Sequence, residues 1–595
     1  MILKRYPDRD TFKTLAEKGN VIPVCAEILA DTETPVSILQ KFNAPDRAVF
    51  LLESVEGGEH WARYSFMGLS AKSHVKVFAR HVTIEESGFE NIIDHKGDPL
   101  GVLKEMARAY KPADIPFLPR FWSGFTGYMT YEMVSFFEDI PLSLPQEVPY
   151  AHFVIPDSMV IFDNMNHTLT CMAIAYTGRE GSSPGIDAAA CYQDALGRLN
   201  GMIETIARPL SSRTYMGENP NYMGDAVVGT TRRSPLRNTP NYMGDAPSEK
   251  FSLTPGTEPG TYIKGVEKIK QHIVAGDIIQ AVYSQPFSSK ASVDPVMLYR
   301  AQRYINPSPY MFFMNFGSIA IAGSSPETMV RLENRTATLR PIAGTRPRGE
   351  TEQEDRRLAD ELLNDEKERA EHLMLVDLGR NDLSRVSEVG TVQVTDLMFV
   401  ERYSHVMHLV SNITGEIKED MDAWDLIRAA FPAGTLSGAP KIRAMEIISH
   451  VEQTPRGIYG GAAGYISFSG NMDLAITIRT ATIEDGVMKV QAGAGIVADS
   501  VPEMEYQECI NKARSVERAM KMALFRDQSQ PEMNQEGQNS QEEPSESKKI
   551  SRELKDVSRE LKDVSMESKK ISRELKDVSM ESKKISKDSE GGLSC

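Results

Sequence analysis

Residues 491–512, QAGAGIVADSVPEMEYQECINK, constrain this chain more than any other stretch. Ala492, Gly493, Ala494 and Gly495 carry almost no side chain, so backbone N–H groups there can lie against a ligand without a Cβ in the way. After Pro502 the pattern turns helical, and Glu505 and Glu508, three residues apart, share one helix face. A small-residue cradle beside a carboxylate pair suits an anion and a hard cation together. Mg²⁺ fits such a place, because it takes oxygen ligands and shares them between one or two carboxylates and a substrate. A Gly-rich turn followed by an exposed acidic helix is the plainer reading of this stretch by itself; the rest of the chain reverses that preference.

A second carboxylate pair, Glu368 and Glu371, is also spaced i,i+3, just before the apolar run LMLV at 373–376. Two such pairs in one chain make a shared metal site more plausible than either alone. His408 lies on an apolar run, where a histidine is more often a satisfied core residue, yet its neutral-range pKa keeps it a candidate acid or base. Arg479 ends the apolar strand expected over 473–479, and a buried Arg needs an anionic partner, for which a carboxylate offers bidentate geometry. Tyr459, before Gly460 and Gly461, can offer a hydroxyl to the same anion. The segment FPAGTLSGAPK at 431–441 fails the GxxxxGK[ST] spacing, which excludes a phosphate loop there.

Around these motifs the chain divides into four parts. Residues 1–210 mix short strand-like runs, at 47–54 and 63–68 for example, with a helix expected over 188–206. Residues 211–258 carry PNYMGDA twice, at 220–226 and 240–246, and read as an exposed polar insertion. Residues 259–526 alternate strands and helices with Gly-rich junctions, including a long helix over 352–378, and indicate a mixed α and β enzyme-like region. Residues 527–595 are a charged seven-residue repeat. Leu554, Val557, Leu561 and Val564 sit at a/d-like positions, while Ser568 and Ser582 weaken the seam, so a disordered or marginally helical tail is expected.

A net charge of -16 argues against a nucleic-acid-binding surface or a polybasic membrane anchor. The five cysteines are scattered and form no CxxC, which reads as reduced thiols in a cytoplasm. No apolar run is long enough to span a bilayer.

The strings SSPETMVRL, PIAGTRPRG, DEKERAEHLMLVDLGRNDLSRV, FPAGTLSGAPKIRAMEII, RGIYGGAAGYISFSGNMDLAITIRT and QAGAGIVADSVPEMEYQECINKA together resemble the chorismate-utilising enzymes, most closely the anthranilate synthase component I branch. The likeness is dense over 260–526 and thinner over 1–210. It implies an α+β fold with a core of two stacked, mainly antiparallel sheets flanked by helices. It implies that Glu368, Glu371, Glu505 and Glu508 hold Mg²⁺ on the ring carboxylate of chorismate. Tyr459, Arg479 and the backbone of Gly493, Ala494 and Gly495 would hold the enolpyruvyl carboxylate, with Thr435 and Lys512 lining the pocket. Glu327 would be the acid that protonates the departing hydroxyl, and His408 would serve the later loss of pyruvate.

Two positions bear on the nucleophile. Family members that use water carry a Lys where this chain has Gln280, and aminodeoxychorismate synthases commonly carry a Lys where it has Ala343. Both lysines are missing, which points to ammonia and to anthranilate as product, with aminodeoxychorismate synthase component I as the alternative and a catalytically silent assembly protein as a more distant one. No cysteine sits in a G-x-C-x-G elbow, so a separate glutamine amidotransferase subunit is expected to deliver the ammonia. Glu53, Ser54, Tyr64, Ser65, Asn306, Pro309, Tyr310 and Met311 resemble the family's L-tryptophan feedback site; strand-end and turn positions are the competing reading.

Overall fold

Two long strands, Tyr64–Val77 and Ala151–Asp163, organise everything else. They pair antiparallel along their length, and the register shifts repeatedly between Gly68 and Ser73. Such irregularities bend a strand. Each strand therefore leaves one sheet layer and enters another, and the short unit expected at 63–68 is only the first half of a longer element. The computed structural model describes residues 1–44, 47–54, 63–178, 187–210, 252–290, 293–403 and 406–528. The duplicated PNYMGDA segments and the heptad-repeat tail lie outside the described residues.

In the first layer the early half of Tyr64–Val77 pairs with Val49–Glu53. The order then runs through Tyr310–Asn315, Ala320–Ser325, Thr480–Glu484, Val487–Ile496 and Gln280–Ser289. On the other side of the bent pair lie Thr168–Tyr176, Val21–Leu29 and Ile2–Tyr6. In the second layer the early half of Ala151–Asp163 pairs with Gly124–Met129. That order continues through Ala462–Ser467, Met472–Ile476, Thr328–Glu333, Thr336–Leu339 and Val406–Glu416. Strands from both halves of the chain are thus interleaved in both layers, and each of these pairings is antiparallel.

The period of two along a strand sorts the side chains between two cores. Phe50, Phe312 and Met314 join a cluster with second-layer residues Phe125, Phe153 and Tyr465. Their neighbours Val49, Leu51, Met311 and Phe313 face the other way and pack with the helices, among them Leu199, Val266, Leu298 and Val516. The first layer is covered on both faces, which is why its strands read as nearly continuous apolar runs. Truncating a side chain such as Phe312, which touches the core between the layers, is expected to cost about 3–5 kcal/mol.

The single helix expected over 352–378 is two helices, Glu352–Asn364 and Glu366–Ser384. Asp365 separates them. Its backbone is extended, at φ -73° and ψ 110°, and its carboxylate accepts from the N–H groups of Lys367 and Glu368. A short acidic side chain that satisfies orphan N–H groups starts a new helix rather than continuing the old one. The strand expected to run to Arg479 stops at Ile476. Among the described residues no helix is long and apolar enough to cross a membrane.

Candidate active site

The site lies where the chain twice crosses between layers. Glu327 sits between first-layer strand Ala320–Ser325 and second-layer strand Thr328–Glu333. Arg479 sits on the return, between Met472–Ile476 and Thr480–Glu484. Because these strands pair with each other within their own layers, the two crossovers run side by side. The Ile476 N–H donates to the Glu327 carbonyl at 3.0 Å, and the Ser324 N–H donates to the Arg479 carbonyl at 3.3 Å. Arg479 has φ +50°, a left-handed conformation that disfavours a side chain; its strain is held by the strands on either side.

Both side chains face a cavity of about 220 Å³ that is also lined by His408, Leu436, Tyr459, Gly493 and Lys512. Burial pushes the Glu327 carboxyl up to about 8, against the opposing influence of the Thr435 hydroxyl and the Arg479 charge. The Thr435 Oγ1 is itself buried without a hydrogen-bond partner of good geometry. Burial lowers the Arg479 pKa, with Glu327 as the first influence opposing it, and among the described residues the guanidinium makes no ion pair. Tyr459 is pushed above its ordinary value by burial. His408 Nδ1 lies 2.9 Å from the Gly344 carbonyl and 3.1 Å from the Thr345 hydroxyl. A carbonyl only accepts, so Nδ1 carries the proton and Nε2 of the neutral ring is left as an acceptor. Burial holds that ring neutral by lowering its pKa.

The small residues of 492–495 divide by strand alternation. The Gly493 carbonyl accepts from Lys512 Nζ at 2.9 Å, and the N–H of its cross-strand partner Ser284 goes to Glu452 at 2.8 Å. Gly493 and Ser284 therefore turn their backbone groups away from each other, so the N–H of Gly493, and by the period of two that of Gly495, faces the open strand edge. A Cβ on Gly493 would stand 2.9 Å from the Tyr459 hydroxyl, and one on Gly495 2.7 Å from Gln280 Nε2. Ala494 points the other way, into the core under the helices. Gly495 lines a neighbouring cleft rather than the cavity itself, and Thr435 lines a smaller cavity behind Glu327.

That neighbouring cleft shares Gly344 and Thr345 with the cavity and brings Glu368, Glu371, Glu505 and Glu508 together. The first pair lies on Glu366–Ser384 and the second on Pro502–Gln528. Burial raises the Glu371 carboxyl, with Glu368 adding to it. Burial also raises Glu505, opposed by a Ser500 hydrogen bond and reinforced by Glu508. Glu368 pairs with Arg346 at 3.3 Å and Glu508 with Lys512 at 2.7 Å. No three His, Cys, Asp or Glu side chains among the described residues stand close enough together to hold a metal ion directly. The donor set suits a hard cation that keeps several of its waters. An ion pair of Lys367 with Asp499, at 3.0 Å, bridges the two walls of this cleft, and nothing in the local sequence around either residue signals it.

A second cavity, of about 60 Å³, collects Glu53, Ser54, Tyr64, Pro309, Tyr310 and Met311 with Arg120, Tyr465 and Asp473. Ser65 and Asn306 are not on its wall; Ser65 is buried and Asn306 ends the helix Pro295–Ile305. The Glu53 carboxylate accepts from Tyr299 and, at 2.8 Å, from Arg303. Tyr310 donates to Asp473 at 2.9 Å and stands 3.0 Å from the Thr328 hydroxyl, next to Glu327.

Residues 62–518 fit the model of the chorismate binding enzymes, and the chain belongs to that family. Among its relatives there are anthranilate synthase component 1 proteins. That of Pseudomonas putida is 44% identical over 521 residues, covering 87% of this chain and 99% of the relative. That of Aquifex aeolicus is 42% identical over 514 residues, covering 86% and 97%. The crystal structure of anthranilate synthase component I from Streptococcus pneumoniae superposes with a TM-score of 0.64 at 34% identity, over 82% of this chain and 99% of that one. The menaquinone-specific isochorismate synthase of Escherichia coli shares the fold, with a TM-score of 0.56 at 18% identity over 86% of this chain and 98% of that one.

Proposed function

We propose that the chain is the large subunit of an anthranilate synthase: it aminates chorismate with ammonia and then eliminates pyruvate, in a reaction that needs Mg²⁺. The observation that carries this reading is one cavity that holds both the Glu327 carboxyl, which burial pushes up to about 8, and the buried Arg479 guanidinium, which makes no ion pair among the described residues. Chorismate is a dianion and needs two anion-binding ends. Arg479, the Tyr459 hydroxyl and the open N–H edge at Gly493 form one end, and the four-glutamate cleft with its cation forms the other. A bound Mg²⁺ supplies Lewis acidity and a template at the ring carboxylate.

The chain's own residues do the rest. Glu327 gives its proton to the departing ring hydroxyl, which leaves as water while the amine adds beside the ring carboxylate. His408, neutral with Nε2 as acceptor, can take the ring proton whose loss accompanies release of pyruvate and makes the ring aromatic. Gln280 lines the cleft and cannot deprotonate water, which supports ammonia as the nucleophile. Ammonia then comes from a glutamine amidotransferase partner, and L-tryptophan inhibits by favouring an inactive state from the second cavity.

The test is incubation of the purified chain with chorismate, Mg²⁺ and ammonium, with products separated and identified. Anthranilate plus pyruvate, abolished by EDTA, is the expected result. A 4-amino product without pyruvate would assign the chain to the aminodeoxychorismate synthases. Efficient use of glutamine by the chain alone would remove the need for a partner.

A further inference from the structure

Tyr459 reaches the cavity from a turn closed by two backbone hydrogen bonds of its own, from the Tyr459 N–H to the Arg456 carbonyl at 3.3 Å and from the Gly461 N–H to the Ile458 carbonyl at 3.0 Å, and tied down from outside at both ends. Gly457 and Gly460 both adopt left-handed backbone, at φ +59° and +73°. Gly460 is held by its N–H donating to the Thr477 carbonyl at 2.9 Å. The other end of the turn is held from the opposite half of the chain. Glu132 lies in the short 3-10 helix Tyr131–Phe136, directly after second-layer strand Gly124–Met129, and is fully buried. Its Oε1 accepts from the N–H of Arg456 at 2.6 Å and from the N–H of Gly457 at 3.2 Å. The adjacent Tyr131 N–H donates to the Gly457 carbonyl at 2.8 Å. Residues 131 and 132 thus clasp both the N–H and the C=O of Gly457.

The clasp extends to the rest of the site through Arg456. Its guanidinium lies 4.3 Å from the centre of the Tyr131 ring. It donates to the Leu436 carbonyl at 2.6 Å, one residue beyond Thr435, and to Glu452 at 2.8 Å. The second oxygen of Glu132, Oε2, is buried with no hydrogen-bond partner. Burying a carboxyl in this way is costly, and the position is kept only if the surroundings over-determine it. Of these residues only Leu436 lines the cavity; Tyr131, Glu132, Glu452 and Arg456 do not.

We propose that Glu132 is a positioning residue for the reaction: its carboxylate fixes the 456–460 turn and so aims the Tyr459 hydroxyl at the bound substrate carboxylate. This rests on the reading of the cavity as a chorismate site. The N-terminal half of the chain then supplies part of the geometry of a site whose contact residues all come from the C-terminal half.

The experiment compares Glu132→Gln, which keeps an acceptor oxygen, with Glu132→Met, which fills the space without one. In chorismate turnover by the full chain, Glu132→Met is expected to raise KM about tenfold with kcat changed less than about threefold. Glu132→Gln should return KM to within about threefold of the parent. In a Tyr459→Phe background, Glu132→Met should add almost nothing, because the hydroxyl it positions is gone. An equal KM rise in both backgrounds, or an unchanged KM in folded Glu132→Met, overturns the proposal. Amide hydrogen exchange over 456–460 gives a readout that needs no activity. Protection should fall in Glu132→Met and hold in Glu132→Gln, and protection unchanged in both overturns the clasp. If the parent chain fails to turn over chorismate, the functional reading fails while the exchange result still decides the clasp.

Discussion

The two cavities differ in how their polar groups are satisfied. In the larger one Arg479 has no ion-pair partner among the described residues, and behind Glu327 the Thr435 hydroxyl makes no hydrogen bond of good geometry. In the smaller one the charges are already spent on each other: Glu53 on Tyr299 and Arg303, Asp473 on Arg120 and Tyr310. A site built for a developing charge keeps its groups oriented and unpaired, since reorganisation at the moment of reaction is what preorganised groups avoid. A site that shifts an equilibrium can begin satisfied, because its ligand acts by replacing internal partners and favouring a different arrangement. The two are also joined. Tyr310, on the wall of the smaller cavity, reaches the Thr328 hydroxyl, one residue from Glu327.

The largest effect should come from Glu327→Gln, which keeps shape and removes the acid. Anthranilate formation is expected to fall about 10²–10⁴-fold, with tryptophan binding by calorimetry unchanged. Loss of tryptophan binding as well would mean that the two cavities are not separable. Next, Arg479→Ala should raise the chorismate KM roughly 10–100-fold, the worth of about 1.5–3 kcal/mol for a hydrogen bond to a charged group. A variant with KM intact would place the enolpyruvyl carboxylate elsewhere.

The pH profile follows from the same contrast. A carboxyl raised to about 8 is protonated, and so able to donate, below that value, and loses the proton above it. Turnover should therefore decline as pH rises through about 8, and a flat alkaline limb would remove Glu327 as the acid. In the smaller cavity, Glu53→Gln should weaken tryptophan inhibition roughly tenfold, within the usual span of coupling energies, with uninhibited turnover preserved. Tyr310→Phe should give the smallest change, a shift in the tryptophan midpoint of a few-fold, since Asp473 keeps Arg120. A shift larger than that of Glu53→Gln would make the Tyr310–Thr328 contact the principal link between the cavities.

Much of the site was readable from local pattern. The i,i+3 pairs Glu368/Glu371 and Glu505/Glu508 fall on helices and face one cleft because helical periodicity is a local property. The small residues 492–495 read as a backbone cradle, and Gly493 lines the cavity; Ala494, one residue on, is turned into the core by the same alternation that the strand imposes. The apolar pattern places Arg479 at a strand end, whereas it occupies a left-handed crossover beyond it, because the chain must leave one layer and enter the other. The resemblance places Ser65 and Asn306 with the feedback-site residues, and neither is among the residues that line the second cavity. Glu132 carries no local signal at all, and Arg456 only opens one of the strings of the resemblance: what joins them is a contact across 324 residues of chain.

Local chemistry in the sequence determined which residue types were available and which faces of helices and strands they share. It also determined where elements begin, as at Asp365 and Pro502, since capping and backbone restriction act within a few residues. Only the tertiary structure decided that Glu327 and Arg479 stand on adjacent crossovers, that burial raises the carboxyl of the first, and that the second makes no ion pair among the described residues. Burial and long-range pairing depend on how the two layers close over each other, and that is a property of the whole packed chain rather than of any segment within it.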